Sequence, residues 1–413
     1  MSAAQADEFT IQLIKPAYGG ESLGRLPDGR AVFVPFCLPG ETVRIRLVEE
    51  HARHARGALL EVLAASPLRI QPRCRHFTRC GGCHYQHLDY SEQLELKTSI
   101  LRDQLQRIAG IENPPLKSPT PSARPFNYRN YVQFHLTNEN QLGYYQADGR
   151  TVMAVTECHL PEAPLAELWP QLNFESVPEI ERVGLRLGSK DELQLTLESE
   201  QITPPEISVE DLDCSVVHLS PAGALVLVGS AALTIEVLER PFRVSAGSFF
   251  QINTALAGAM VEHLLANLSL QPEATLLEVY CGVGLFSAFL AGRVKRLVGI
   301  EASESAGDDF AVNLDEFDHV ELYQGTAEQI LPGLELHPDM ILVDPPRSGI
   351  ERNALQALLD MQAPCLAYIS CDPATLARDA RRLVEGGYTL KQITLFDLFP
   401  QTYHIESISV WER

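Results

Sequence analysis

Thr275-Leu-Leu-Glu-Val-Tyr-Cys-Gly-Val-Gly-Leu-Phe286 is an apolar run of strand length that breaks into a Gly-x-Gly turn and opens a helix. Arg296-Leu-Val-Gly-Ile-Glu301 is a second apolar strand, ending in an acid 19 residues after Gly282. Strand-like runs recur at 320–324, 340–344, 365–370, 391–397 and 405–411, with helical runs between most of them. Strands alternating with helices predict a doubly wound α/β sheet over 241–413. Glycine carries no Cβ, so Gly282 and Gly284 let the backbone approach a ligand closely. An acid at the end of the next strand, here Glu301, accepts hydrogen bonds from ribose hydroxyls. Phe286 stands where a dinucleotide site would need a third glycine, so the expected ligand is a single nucleoside such as S-adenosylmethionine. A tight turn that serves only packing is the alternative.

In open α/β sheets the reactive groups gather at the carboxyl ends of the strands. Three runs end there. Asp344-Pro-Pro-Arg347 follows the strand Met340-Ile-Leu-Val343, and its prolines stop the strand and fix the loop. Ile369-Ser-Cys-Asp-Pro373 leaves Cys371 at a strand end, and Phe399-Pro-Gln-Thr-Tyr-His-Ile-Glu406 brings a carboxylate to the same rim. A thiol nucleophile with a carboxylate base is one reading of Cys371 and Glu406. The other makes Cys371 a small buried hydrophobe.

At 413 residues the chain should hold two or three domains. Hydrophobic residues are 45% and charged residues 21%, an ordinary globular balance. No run of about 18 apolar residues exists, so no membrane span is expected. The opening MSAAQADEFT lacks a basic start and an apolar core, so no secretory leader and a cytoplasmic setting are expected. Nine cysteines are too few for a disulfide scaffold, and grouped thiols suggest metal or catalysis. Net charge is −21, which taken whole argues against nucleic acid. The charge is uneven, however. Residues 66–133 hold ten Lys/Arg against five Asp/Glu, whereas 157–240 hold four against sixteen. A polyanion could meet the first segment. Random fluctuation along an acidic chain is the alternative.

Residues 8–65 alternate short apolar strands with Gly/Pro/Asp turns, including Asp28-Gly29, and predict a small barrel of the oligonucleotide-binding type. The second block opens with Cys74-x5-Cys80-Gly-Gly-Cys83 and contains the distant Cys158. Four thiols suit structural zinc or a 4Fe–4S cluster. A helix is expected over 91–110, with Ser91 as N-cap, Leu94, Leu101, Leu105 and Ile108 at helical spacing and Gly110 at its end. Five prolines from Pro114 to Pro125 predict a linker, and 126–240 return to short strands. Tyr128-Arg-Asn130 is either an RNA contact or an ordinary strand start. Cys37, Cys214, Cys281 and Cys365 are read as structural.

Six motifs then stand in one order. They are the quartet Cys74, Cys80, Cys83 and Cys158; Ser248-Phe-Phe-Gln-Ile-Asn253; Tyr280-Cys-Gly-Val-Gly-Leu-Phe286; Asp344-Pro-Pro-Arg347; Ile369-Ser-Cys-Asp-Pro373; and Phe399-Pro-Gln-Thr-Tyr-His-Ile-Glu406. Over nearly its whole length the chain resembles the RNA uracil-5 methyltransferases, in the branch with a TRAM barrel and an iron–sulfur cluster. The resemblance implies a Rossmann-like class I methyltransferase domain over 241–413, a TRAM (OB-like, RNA-binding) barrel over 1–66 and a central α+β iron–sulfur domain over 67–240. The helix at 91–110 is a candidate to pack on the catalytic block. Cys371 corresponds to the nucleophile that attacks C6 of uracil, and Glu406 to the base that removes the C5 proton. Gln251, Tyr280, Gly282, Gly284, Glu301 and Asp344 fall on positions that bind S-adenosylmethionine or place the base. The four cysteines correspond to 4Fe–4S ligands; with no open iron, the cluster would be structural or RNA-positioning.

The expected enzyme is therefore an S-adenosylmethionine-dependent RNA (uracil-5-)-methyltransferase, acting as a monomer without an obligate protein partner. Ribosomal 23S RNA is the first substrate reading and the transfer-RNA T-loop the second. A non-catalytic RNA-binding protein, a methyltransferase for another acceptor and a nicotinamide oxidoreductase are the rivals. Free cysteine titrates near 8.5, so such a site must favour the thiolate, with Arg347 one candidate to do so. Two positions depart from the family pattern. Glu278 stands where relatives often carry aspartate, and Gly325-Thr-Ala-Glu328 lacks an acid common in relatives, which puts one adenine contact in doubt.

Overall fold

A computed structural model describes residues 8–174, 179–208 and 213–413. The first seven residues of the expected barrel block, and 175–178 and 209–212 of the expected second block, lie outside the described residues. Two compact units emerge. One comprises Met1–Leu101, Tyr145–Thr151 and Phe399–His404; the other comprises Arg102–Tyr144, Val152–Leu398 and Ile405–Arg413.

The first unit carries a closed five-stranded barrel built from Glu8–Ala17, Glu21–Arg25, Ala31–Pro35, Thr42–Glu50 and His54–Ala64. Apolar residues alternate along its strands, so one face of each turns inward. Ile11, Leu13, Val32, Val34, Val43 and Ile45 fill the interior. Asp28-Gly29 forms the expected tight turn, with Gly29 at φ 88° and its N–H donated to Leu26 O at 2.9 Å. The helix Tyr90–Gln104 begins one turn after this unit's cysteine loop. Asp89, not Ser91, caps it: the Ser91 N–H and hydroxyl both donate to Asp89 Oδ1, at 3.2 and 2.9 Å. The Asp89 carboxylate thereby satisfies the Ser91 N–H, one of the first-turn donors that has no partner within the helix.

The second unit holds a mixed sheet of seven short strands within residues 131–228, over a core of Phe134, Leu165, Val183 and Trp169. It also holds the sheet that positions the site. Its strands are β1 (Thr275–Val279), β2 (Arg296–Glu301), β3 (Val320–Gln324), β4 (Met340–Val343), β5 (Cys365–Ser370), β6 (Thr389–Phe396) and β7 (Glu406–Glu412). Their spatial order is β3-β2-β1-β4-β5-β7-β6. The first five run parallel, and β7 runs antiparallel to both β5 and β6. Leu276 to Val279 and Met340 to Val343 are buried throughout, as helices on both faces require.

The proline-rich stretch is not a free linker. Lys117 and Thr120 donate their N–H groups to Ile393 O (2.8 Å) and Leu395 O (2.7 Å) of edge strand β6. Proline can lie along an edge because one of its sides need not donate, and here it shields an edge that would otherwise template aggregation. The one-turn extension Leu105–Ala109, closed by Gly110 at φ 74°, packs on the helix Pro373–Glu385.

Candidate active site

Strand register assembles the site. In the antiparallel pair β5–β7, Ser370 faces Ser407 and Ile369 faces Ile408. Extended by one residue, that register sets Cys371 opposite Glu406. The parallel pair β4–β5 matches Val343 to Tyr368, and the pair β1–β4 matches Val279 to Val343. Asp344 and Tyr280 therefore leave the same rim on the neighbouring strands. The Cys-Asp-Pro run makes the transition abrupt. Asp372 caps the next helix by accepting from Ala374 and Thr375 N–H, both at 2.9 Å, and Pro373 occupies the first helical turn. Cys371 is thus held between a strand end and a helix N-terminus.

The electrostatics run against a resting thiolate. Burial pushes the Cys371 thiol up to about 12, with Glu406 and Asp344 adding to the shift and Arg347 opposing it. Arg347 opposes the shift, as expected from the sequence, but burial together with Glu406, Asp344 and Asp372 outweighs it. Glu406 is raised well above the carboxylate range by burial, then by Asp344, against Arg347. Burial lifts Asp344 to about 7, and lifts Glu278 to about 8, where the Ser287 hydroxyl partly opposes it and Asp344 adds to it. Burial therefore favours the protonated forms of Cys371, Glu406 and Glu278. A cationic group beside Asp344 would favour the charged form of every one of these acids.

This cluster predicts a stability trend. A carboxyl whose pKa in the fold exceeds its unfolded value keeps a proton that the unfolded chain has already lost, so stability falls as pH rises between the two values. For Glu278 that window runs from 4.5 to about 8. The melting temperature of the ligand-free protein should fall across it, and Glu278→Gln should flatten the fall. An unchanged slope in the variant would contradict this.

The glycine turn opens as a cradle. Tyr280 adopts φ 65°, a strained conformation for a non-glycine residue, and its phenol is pushed up by burial. Gly282 follows at φ 56°, and a Cβ there would meet nothing within 4 Å. Gly284 has the opposite reason to be glycine, since a Cβ would strike Leu314 at 2.4 Å. Glu301 accepts from Gly282 N–H at 2.8 Å and from Ser303 N–H at 2.7 Å, tying the turn to β2 and leaving lone pairs for a further donor. Tyr280 also lines a cavity of about 390 Å³ with Glu328, Pro346 and Ile350. That volume falls within the range of small-molecule sites.

Gln251 is buried on the loop that precedes the helix Thr254–Asn267. Asn130 holds that loop: its Nδ2 donates to Gln251 O (3.0 Å) and Thr254 Oγ1 (2.9 Å). The structure therefore gives Tyr128-Arg-Asn130 an internal task, since Tyr128 and Asn130 are both buried. On the same loop Phe249 is 69% exposed, unusual for so large an apolar side chain.

Asp379 is a positioning residue not singled out from the sequence. Its Oδ2 accepts from Tyr368 OH on β5 and from Ile350 N–H, each at 2.9 Å, and its Oδ1 accepts from Arg378 Nε. It thereby joins the strand behind Cys371 to the loop after Asp344. The signal was an acid among the buried Leu376, Ala377, Ala380 and Leu383 of one helix. Asp379→Ala should cost about 2–4 kcal/mol, because three donors lose their acceptor. Urea unfolding measures it, and a loss under about 0.5 kcal/mol would refute the assignment.

Cys74, Cys80 and Cys83 lie half-buried in one loop of the first unit, and Cys158 belongs to the second. Among the described residues no three His, Cys, Asp or Glu side chains stand together as a metal site. The loop's backbone nonetheless points at its sulfurs: His76 N–H donates to Cys74 Sγ and Gly82 N–H to Cys80 Sγ, each at 3.4 Å.

A seven-stranded sheet, parallel except for one antiparallel strand, with a glycine turn at its carboxyl rim defines the class: the fold of a methyltransferase. Comparison with known proteins agrees. The tRNA (Uracil-5-)-methyltransferase family matches residues 225–413, and the TRAM domain matches residues 7–60. Proteins named as uncharacterized RNA methyltransferases from Gloeobacter violaceus and Aquifex aeolicus are 32% and 34% identical, over 99% and 96% of this chain and 97% of each of theirs. The chain belongs to the RNA uracil-5 methyltransferase family and carries a TRAM barrel. Among solved structures, the Pyrococcus abyssi tRNA (uracil-54, C5)-methyltransferase, in complex with S-adenosyl-L-homocysteine, shares the fold with a TM-score of 0.74 at 22% identity, covering 98% of this chain and all of that one. Among the described residues no helix is long and apolar enough to cross a membrane.

Proposed function

We propose that this RNA methyltransferase transfers a methyl group from S-adenosylmethionine to C5 of a uridine in structured RNA, with Cys371 as nucleophile and Glu406 as base. The observation that carries the reading is the β5–β7 register, whose last pair is Ser370 with Ser407; carried on by one residue, and with Glu406 acting electrostatically on Cys371, it supports these two as neighbours on the rim. Cys371 gives up its proton to solvent, and the sulfur electron pair bonds to C6. The C5–C6 π electrons move onto C5 and the O4 carbonyl, and C5 becomes a carbon nucleophile. When bound, S-adenosylmethionine would supply the methyl: C5 would bond to its methyl carbon as the methyl–sulfonium bond breaks, with that electron pair staying on sulfur and S-adenosyl-homocysteine leaving. Glu406 then takes the C5 proton, the C–H electrons restore the C5–C6 double bond, and the C6–S bond breaks to return the thiolate. Covalent addition splits one hard step into two easier ones.

The cofactor cradle consists of Tyr280, Gly282, Gly284 and Glu301 with Asp344 and Gln251. The open space at Gly282 and the buried acids suit a cationic nucleoside. Its positive charge lowers the resistance of Cys371 and Glu406 to ionisation. Base chemistry requires the uridine to leave its stack, at a few kcal/mol.

Cys74, Cys80, Cys83 and Cys158 would hold a 4Fe–4S cluster as a structural or RNA-positioning element. The amide hydrogen bonds to Cys74 and Cys80 fit thiolate ligands, since such bonds tune cluster sulfurs. Anaerobically purified protein should be brown and contain iron; a colourless preparation with stoichiometric zinc would overturn the cluster. A reducing cytoplasm suits both the cluster and the thiol, and the enzyme is read as a monomer. The substrate is read as 23S ribosomal RNA. The transfer-RNA T-loop is the second reading, favoured by the family match over 225–413. Mapping 5-methyluridine in both RNAs, from cells with and without the gene, decides between them. Loss of the mark from neither would overturn the proposal.

A further inference from the structure

The segment Phe399–His404 belongs to the first unit, and its polar groups are consumed in holding it still. Gln401 donates its N–H to Gln93 Oε1 at 3.1 Å and accepts from Gln93 Nε2 at 3.0 Å on its own side chain. Its carbonyl accepts from His84 and Tyr85 N–H at 2.7 and 3.0 Å. Lys97, buried on the helix Tyr90–Gln104, donates to Phe399 O at 3.0 Å. Pro400, Gln401 and Thr402 are buried, whereas Phe399, Tyr403 and His404 keep part of their rings in solvent.

Those rings form a ladder. Phe399 meets His404 at 5.4 Å, and His404 meets Tyr403 at 4.3 Å. Tyr403 in turn meets Tyr18, in the turn after the barrel's first strand, at 5.6 Å and 83°, and His84 at 4.6 Å and 81°. Gly20 keeps the His84 ring in place, since a Cβ there would lie 2.7 Å from it. Three of these contacts are edge-to-face and the His404–Tyr403 contact is tilted at 47°; at these spacings each ring is held by its neighbours while staying only half-buried. The loop that bears His84 also exposes Arg73, Arg75 and Arg79. The chain that bears Tyr403 continues within three residues to Glu406.

We propose that Tyr18, Tyr403, His404 and Phe399 form a stacking platform for unpaired bases of the RNA substrate. Aromatic faces on a pinned loop suit single-stranded nucleotides, because every base has a π-face and a rigid surface loses little entropy on binding. Nearby arginines suit the backbone phosphates. The platform rests on the reading of this chain as an RNA uracil-5 methyltransferase and adds to it the requirement for unpaired bases in the RNA it binds.

The test uses the full chain and a short single-stranded RNA carrying 2-aminopurine beside 5-fluorouridine. Binding to the wild type should quench 2-aminopurine by stacking. Tyr403→Leu keeps an apolar side chain but has no π-face. It should weaken RNA binding about 5- to 150-fold and abolish the quench, while Tyr403→Trp retains both. Unchanged affinity and quench in Tyr403→Leu, or no quench with the wild type, would overturn the platform. If Tyr403→Leu does not fold, as judged by loss of S-adenosyl-homocysteine binding, Tyr18→Leu is held to the same criteria. A Cys371 adduct in the wild type with binding unchanged in the leucine variants would sink the platform and spare the reaction; quenching without any adduct would do the reverse.

Discussion

Cys371→Ala is expected to reduce methyl transfer to RNA by at least about 10⁴-fold, to the limit of detection. Without the sulfur no electron pair reaches C5, and C5 of an intact uracil does not attack a methyl group at a useful rate. The effect should fall on the chemical step and not on binding. Alanine relieves burial of a thiol that is already neutral, because the side chain sits near 12. The fold and the cofactor cradle should therefore survive, and S-adenosyl-homocysteine should bind the variant as it binds the wild type. Single-turnover transfer of labelled methyl, beside calorimetric binding of S-adenosyl-homocysteine, separates the two. Activity within tenfold of wild type would mean that another acceptor chemistry operates on this rim.

Glu406→Gln is expected to stop the reaction one step later. Glutamine matches the shape of the carboxyl but cannot take the C5 proton. Turnover should fall about 10²–10⁴-fold, while addition of Cys371 and methylation of C5 continue. The enzyme should then accumulate a denaturant-resistant RNA adduct with ordinary, unhalogenated substrate. Gel electrophoresis under denaturing conditions, followed by peptide mass analysis, shows the adduct. A variant that loses turnover and forms no adduct would place Glu406 before bond formation and not after it.

The two effects differ because the two side chains, though opposed in one register, serve different bonds. That register could not be seen in the sequence. The apolar run Cys365-Leu-Ala-Tyr-Ile369 and the run 405–411 read as strands, but strand pairing is a long-range choice that local periodicity does not encode. Strand ends and turn chemistry were legible, since Pro345, Pro373 and the glycines of the 282–284 turn act through their own backbones. The barrel was legible for a similar reason: its alternation has a period of two in Thr42–Glu50 and Ala31–Pro35.

Polar groups doing internal work were the hardest to read. Gln93 and Lys97 lie on the same buried helix face as Leu101 and Leu105, where sequence periodicity marks only the leucines. Their partner is a loop about 300 residues away, at Phe399 and Gln401. The prolines from Pro114 looked like a linker because proline stops regular structure, and only the fold reveals an edge strand in need of cover. Asp379 was passed over, and Asn130 was read only within a possible RNA contact or strand start, because each holds backbone or hydroxyl groups that no motif names. The electrostatic balance at Cys371 was legible in kind but not in sign. Arg347 could be named from the sequence, whereas the depth of burial that outweighs it could not.

The central claim is a bond between Cys371 Sγ and C6 of a uracil. Fluorine at C5 cannot be removed as a proton, so 5-fluorouridine RNA incubated with S-adenosylmethionine should leave the methylated base attached to the protein. Mass analysis of the digested complex should place the whole added mass on the peptide containing Cys371, with none in Cys371→Ala. An active preparation that methylates ordinary RNA yet shows no linkage at residue 371 would contradict the account.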